Sequence, residues 1–218
     1  QVIEHEHGSV LEHITFTLFI EGITRGLSLE SNRHRPLAVS QRSTRYTAEE
    51  DAALVLEPYY AYLYEKHKKQ FMIDLSIGQV LYFTDGTSVD DAFEIRILAN
   101  SLEGHAKSLG VYKTQVEWLE KHNPLNLKGF DLRKWARGKA RNNLPHALET
   151  RITYTGNVRA WRWFIESRSD SHAEPEIRRL ADRVLQTLRA EAPLYFVDFT
   201  ISEIYDGIPV WTPTHSKV

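Results

Sequence analysis

Arg33-His34-Arg35 is separated by seven residues from Ser43, which is followed by Arg45-Tyr46, so four arginines (Arg33, Arg35, Arg42, Arg45) and one histidine share fourteen residues. Guanidinium forks match phosphate and carboxylate oxygens bidentately, and a hydroxyl such as Ser43 adds a neutral donor to the same oxygens. The stretch therefore asks for an anion. The formal charge of the whole chain is only −2, so this cationic density is local and does not extend to the all-over basic footprint of a nucleic-acid coat protein. There are no cysteines. That excludes disulfides, thiolate metal sites and every mechanism in which a cysteine adds covalently to its substrate. If this chain alkylates an electron-poor ring, a cofactor must do the activating.

Glu4-His5-Glu6-His7 alternates acid and imidazole, and with His13 could be drawn as a metal site; the alternation at a chain end reads instead as solvent-facing, and no metal is expected. With 218 residues, 42% hydrophobic and 26% charged, one well-buried core and one domain over 1–218 are expected. No apolar run approaches the roughly 20 residues of a membrane helix. Neither a membrane nor a nucleic-acid partner is expected. No signal-like segment follows Gln1, so the expected compartment is the cytoplasm, and the native start is expected to lie upstream.

The elements that must position the arginines follow from pattern. Ser9-x-x-Glu12 has the form of a capping box opening a short helix. Phe16, Leu18 and Ile20 alternate with Thr15, Thr17 and Phe19 as a strand with one packed face, ended by Glu21-Gly22. Thr24 caps a short helix towards Asn32, which delivers Arg33-His34-Arg35 at a helix end, and Pro36 forces the chain into an ordered loop as far as Tyr46. Thr47-x-x-Glu50 is a second capping box, before an amphipathic stretch over 52–69 interrupted by Pro58. Asp85-Gly86 is a turn between a strand over 80–83 and a helix capped by Ser88, with Phe93, Ile97 and Leu98 as its buried stripe; 111–121 reads as a separate helix stopped by Asn123-Pro124. A basic helix spans 131–141, with Arg141 at its end just before Leu144-Pro145. A strand over 152–155 is closed by Gly156, and helices follow over 157–167 and 171–188, the second with Ile177, Leu180, Ala181, Val184, Leu185 and Leu188 on one face. Pro193 ends the regular part, and a strand is expected over 194–201.

The Arg-His-Arg, seven residues, Ser, one residue, Arg-Tyr spacing resembles the signature of the flavin-dependent thymidylate synthases, the ThyX family. His7-Gly8-Ser9-Val10-Leu11-Glu12-His13, with Phe16-Thr17 and Ile20-Glu21-Gly22, looks like the family's block upstream of that signature. Ala140-Arg141 with Leu144-Pro145 looks like a third block, and Asn157-Val158-Arg159, Arg168, Ser171-His172-Ala173 and Glu176-Ile177-Arg178 like a fourth. Residues 47–130 match nothing in the family pattern and are expected to be an elaborated middle.

The resemblance implies an α+β fold, with a central, twisted, mostly antiparallel sheet flanked by helices, and a homotetramer with active sites at subunit interfaces. It implies C5-methylation of a uracil nucleotide, UMP and/or dUMP, with methylenetetrahydrofolate as carbon donor and FAD, reduced by NADPH, as hydride donor. By the same resemblance Arg141 and Arg168 face the uracil and stabilise charge developing on it. Ser43 and Arg45 hold the nucleotide phosphate, and Glu30 and Gln41 line the nucleotide pocket. His7, Ser9, Glu12, Arg33, His34, Arg35, Gln41, Asn157, Arg159, Trp163 and His172 bind the cofactor. Ser9 and Glu12 thus have two readings, backbone caps and flavin-site residues, and both can hold.

The chain departs from the family pattern at telling places. Ala38-Val39-Ser40-Gln41 stands where Ser-x-Asn-Glu is common, a Gln three residues before Arg-His-Arg is Glu30, an Asn of the late block is Trp163, and Gln-x-Glu-Ile-Arg reads Glu174-Pro175-Glu176-Ile177-Arg178. A glutamine both donates and accepts, whereas an ionised glutamate only accepts. One more acceptor in the pocket suits a ribose 2′-hydroxyl, hence the expectation that UMP is used beside dUMP, as in the family's branch serving nucleoside antibiotics such as polyoxin. The alternatives are an ordinary dUMP-specific thymidylate synthase and a catalytically inactive relative that binds only nucleotide or flavin.

Overall fold

The computed structural model of the chain describes residues 3–49, 53–74 and 79–216. In chain order these form β1 (Thr15–Thr24), α1 (Arg25–Ser31), β2 (Ala38–Gln41), α2 (Pro58–His67), β3 (Phe71–Asp74), β4 (Gln79–Tyr82), α3 (Val89–Lys121), α4 (Gly129–Ala140), β5 (Glu149–Asn157), α5 (Val158–Ser169), α6 (Pro175–Glu191), β6 (Phe199–Tyr205) and β7 (Ile208–Pro213). The fold is α+β. Contacts gather the chain into two compact units, Gln1–Gln41 with Thr150–Val218, and Arg42–Glu149. The second unit extends past the 47–130 middle marked by the sequence at both ends.

The first unit is built on a three-stranded sheet in the order β1-β5-β2, with β2 antiparallel to β5 and Ala38 opposite Thr155. Ile152 and Tyr154 alternate onto the buried face of β5, as period-two patterning requires. Trp161, Phe164 and Ile165 of α5 and the apolar stripe of α6 complete one core with them. The Trp161 ring N–H donates to the Phe16 carbonyl (3.2 Å), tying α5 to β1. Gly156 leaves no room for a side chain: a Cβ there would lie 2.3 Å from Leu37 Cδ2. Leu37, three residues beyond His34, thus anchors the arginine loop on β5.

Several sequence expectations are corrected in this unit. The Ser9/Glu12 capping box does not form; Gly8–His13 is a 3-10 helix with His7 as an N-cap making no side-chain bond, and Glu12 pairs with Arg159 instead. β1 runs through Glu21-Gly22 to Thr24, because Gly22 adopts φ +70° without steric cost. The loop expected up to Tyr46 contains β2, which is added to β5 by register. α6 starts at Pro175 rather than at 171, with proline in the first turn, where its missing N–H costs nothing. The strand expected over 194–201 is a short 3-10 turn followed by β6 of a hairpin, whose Asp206-Gly207 turn has positive φ at both residues.

The second unit is organised by α3, one helix of 33 residues where two were expected. Its N-cap is Ser88, whose hydroxyl accepts from Asp91 N–H (3.1 Å), and its buried stripe is Ile95, Leu98, Ala99, Leu102, Ala106, Leu109, Tyr112 and Val116. Phe93 (65% exposed) and Ile97 do not belong to that stripe; Leu98 does. α2, beginning at Pro58 behind its cap Glu57, and the β3-β4 hairpin pack with the first half of α3; Ala140 of α4 packs with Tyr112 and Val116 of the second half. Glu50 and Ala52, on which the second capping box and the start of its helix were placed, lie outside the described residues. No helix is long and apolar enough to cross a membrane among the described residues.

Candidate active site

The residues marked by the sequence fall into two groups, one in each unit. In the first unit, α1 is fixed at its start by Thr24, whose hydroxyl accepts from Leu27 N–H (2.9 Å) while its own N–H and O–H donate to Glu176 (2.8 and 2.6 Å). At its end successive tight turns, Arg33 N to Glu30 O (3.2 Å) and His34 N to Ser31 O (3.0 Å), wind the chain inward. They bury His34 and leave Arg33 and Arg35 exposed on either side. The His34 ring lies 4.5 Å from Trp163 and 4.9 Å from Phe164.

Arg168, from the last turn of α5, meets this turn with all three nitrogens. Nε donates to His34 Nε2, Nη1 to Glu30 Oε1 (2.7 Å) and Nη2 to the Glu30 carbonyl (3.4 Å). Burial, followed by the Arg168 charge, pushes the His34 pKa down to about 4, so the imidazole is neutral near pH 7. Since Nε2 accepts, the proton sits on Nδ1, which is buried and has no partner among the described residues. A second layer supports this one. Ser31 Oγ is 2.5 Å from Tyr154 Oη, which donates to Asn32 Oδ1 (3.1 Å), and Gln41 Nε2 donates to Ser28 Oγ (2.8 Å) and Thr150 Oγ1 (3.3 Å). Burial holds the Tyr154 phenol above its ordinary range. Sequence reasoning missed Ser28, Ser31, Thr150 and Tyr154. The available signal was the i, i+3 spacing of the two serines on α1 and the position of Tyr154 on the buried face of β5.

Of the remaining cofactor candidates of this unit, Trp163 touches that cluster through its ring contact with His34, and the others have contacts of their own. Asn157 caps α5, its Oδ1 accepting from Ala160 N–H (2.8 Å), and Arg159 pairs with Glu12 at 2.6 Å. Trp163 is half-exposed, and His7 and Ser9 are exposed. His172 bonds Asp170 (2.9 Å) and lines a cavity of about 540 Å³ with Ser171, Glu174, Arg178 and Tyr205. Arg178, fully buried, donates to the carbonyls of Tyr205 (2.5 Å) and Ile208 (3.1 Å).

In the second unit, Ser43 closes a turn: its carbonyl accepts from Tyr46 and Thr47 N–H (both 3.1 Å) and its hydroxyl from Arg45 N–H (3.3 Å). Arg45 runs along α4, where a Cβ on Gly138 would be 3.5 Å from its Nε. Arg137 donates to the Tyr46 carbonyl (3.0 Å), joining the turn to α4. Arg42 is spent on Glu49 (2.9 Å) and Glu149 (3.7 Å). Arg45 and Arg141, the latter the C-cap of α4, are exposed. His67, Asp91 and Glu94 bring ligand-type atoms together, but Lys66 Nζ already lies 2.9 Å from Asp91 and 2.7 Å from Glu94, filling the place of a cation.

A clamped arginine over a buried neutral imidazole, with exposed arginines beside it, is an arrangement chemically suited to an anion. The family model described as thymidylate synthase complementing protein matches residues 1–194. The chain belongs to this family, that of the flavin-dependent thymidylate synthases. It is 35% identical to the flavin-dependent thymidylate synthase of Mycobacterium tuberculosis (strain ATCC 25618 / H37Rv) over 211 residues, 97% of this chain and 72% of that one. Identity to the enzyme of that name from Mycolicibacterium gilvum (strain PYR-GCK) is 37% over the same shares. The fold is similar to a crystal structure of flavin-dependent thymidylate synthase ThyX from Helicobacter pylori complexed with FAD and dUMP, with a TM-score of 0.55, 23% identity, and coverage of 90% of this chain and 80% of that chain.

Proposed function

We propose that this chain is a methyltransferase that methylates C5 of dUMP, holding FAD in the site around His34 and the nucleotide at Arg45, Ser43, Arg141 and Arg168. The observation that carries it is the Arg168–His34–Glu30 cluster at the end of α1. The residues present fit a dinucleotide cofactor: exposed Arg33 and Arg35 suit its diphosphate, and the buried Nδ1–H of His34 lacks an acceptor that a ligand heteroatom would supply. When bound, FAD reduced by NADPH supplies the hydride that completes the methyl group, and methylenetetrahydrofolate supplies the carbon.

The protein's own task is binding and electrostatics. Ser43 and Arg45 bind the phosphate dianion. Arg168 and Arg141 face the uracil, where guanidinium donors stabilise negative charge on the ring oxygens while C5 acts as nucleophile. With no cysteine in the sequence, no thiolate adds to C6 to raise that nucleophilicity, so charge stabilisation carries more of the barrier. His34, neutral, accepts from Arg168 without competing for its charge. Glu12, Ser9, His7, Asn157, Arg159, Trp163 and His172 surround the cofactor, Gln41 borders both ligands, and four copies of the chain assemble in solution.

Acceptance of UMP beside dUMP is a finer reading, favoured by Glu30: only its Oε1 is engaged by Arg168 Nη1, and the second oxygen of a carboxylate can accept a ribose 2′-hydroxyl. The test is the purified protein with FAD, NADPH, methylenetetrahydrofolate and equimolar UMP and dUMP, with products identified by mass. Thymidylate formation supports the function, and 5-methyl-UMP at a comparable rate supports the finer reading. A yellow protein that binds dUMP without turnover overturns the catalytic reading in favour of the inactive relative.

A further inference from the structure

We infer that Glu30 is a positioning residue for the reaction, acting on the nucleotide through Arg168; this rests on the reading of Arg168 as the uracil-facing guanidinium. An arginine side chain carries about 2 kcal/mol of rotamer entropy, and its fork must point one way to be useful to a flat ring. Here three of its nitrogens are each fixed by one acceptor, and two of those three acceptors, the carboxylate Oε1 and the main-chain carbonyl, belong to Glu30. Glu30 itself is held from both directions. It lies in the last turn of α1, whose start is tied to Glu176 by two bonds from Thr24 and whose end is tied to β5 through Ser31 and Tyr154.

A guanidinium has five N–H donors, so the clamp leaves two for a ligand. Its orientation is set before the nucleotide arrives, which removes an ordering cost from binding and from the reaction. Removing the carboxylate leaves the fork held only through His34 and a long carbonyl contact, so its direction is less tightly fixed. A glutamine keeps an oxygen acceptor at the same place, so the clamp is a matter of geometry and Glu30→Gln preserves it.

The experiment compares wild type, Glu30→Ala, Glu30→Gln, Arg168→Ala and Glu30→Ala/Arg168→Ala, reading kcat and KM for dUMP methylation and dUMP affinity by calorimetry. Glu30→Ala is expected to lower kcat by about tenfold to a hundredfold, with a smaller change in KM. Glu30→Gln restores kcat to within about threefold of wild type. In the Arg168→Ala background, Glu30→Ala causes no further loss of dUMP affinity, since its partner is gone. An unchanged kcat in Glu30→Ala overturns the inference, as does a Glu30→Gln variant as impaired as Glu30→Ala. An equal penalty for Glu30→Ala with and without Arg168 also overturns it, because Glu30 would then act on dUMP, which has no 2′-hydroxyl for it to accept, independently of Arg168. Wild type that binds no dUMP overturns the functional reading and takes the clamp with it, whereas an active wild type with any of the contrary variant results overturns the clamp alone.

Discussion

The two units place the arginines marked for chemistry differently, although each buries some charge, the second in Glu49, paired with Arg42, and in His67, beside Glu94. In the first, charged and titratable groups are built into the core. Arg162 is buried and paired with Asp198 through its two terminal nitrogens (2.6 and 2.7 Å), Arg178 is buried against main-chain carbonyls, and His34 is buried beneath Arg168. In the second, Arg45 and Arg141 lie on a turn and a helix end at the surface, while the core beneath α3 is aliphatic and aromatic. Buried charge is costly unless it is paired and hydrogen-bonded, and the terminal nitrogens of Arg162 and Arg178 are fixed by such bonds. The first unit therefore holds its marked arginine in one orientation, whereas the second leaves Arg45 and Arg141 exposed.

The largest expected effect tests the first half of that contrast. Asp198→Ala leaves the buried Arg162 without its partner, and should cost about 3–5 kcal/mol in urea unfolding. Desolvation raises the Asp198 pKa, but bonds from Arg162 and the His215 N–H hold it below the ordinary range, so the carboxylate is the state being removed. In the second unit the comparable test is apolar. Leu98→Ala empties a fully buried position on α3 and should cost about 3 kcal/mol by cavity formation, with no dependence on pH.

The sequence was most legible where one residue type answers one need. Thr24 as cap, Ser88 as cap, the stripe of α6 and the turn at Asp85-Gly86 followed from local chemistry, and the α+β class followed from the family resemblance. It was least legible where tertiary packing chose between equivalent patterns. Phe93 and Ile97 share a helical period with each other, yet the face that packs is set by α2 and the β3-β4 hairpin and contains Ile95 and Leu102. The site was read as residue identities: Arg168, His34 and Glu30 were each marked, and the bonds joining them follow only from the meeting of the ends of α1 and α5. Glu12 and Ser9 misled because their spacing fits a cap, while a partner 147 residues away, Arg159, claims the carboxylate.

A smaller effect is read through pH. His34 has its folded pKa lowered to about 4 from 6.5, so between these values the unfolded chain binds more protons than the folded one, and stability rises with pH across that window. The contribution is complete above about pH 6.5 and is lost as pH falls towards 4, amounting to at most about 3 kcal/mol. His34→Gln should flatten the stability–pH curve in that window, whereas Leu98→Ala should lower it without changing its shape. A His34→Gln curve parallel to wild type would show that the imidazole is not the buried, neutral group on which the first unit's side of the contrast depends.

The smallest expected effect is at Phe93, 65% exposed on α3. Serine and phenylalanine have similar helix propensities, and a surface substitution away from packed contacts changes stability by about 0.5 kcal/mol or less. Phe93→Ser is therefore expected to leave the urea midpoint nearly unmoved, in contrast to Leu98→Ala five positions further on. Five residues separate the two, and on a helix that spacing turns the side chain through well over a right angle, away from the face that packs on Leu63, Phe71 and Val80. A loss of about 2 kcal/mol or more for Phe93→Ser would mean that this face is covered in the assembled protein. The second unit would then bury a surface of its own, and the contrast between an embedded site and a solvent-facing one would have to be redrawn at the level of the assembly.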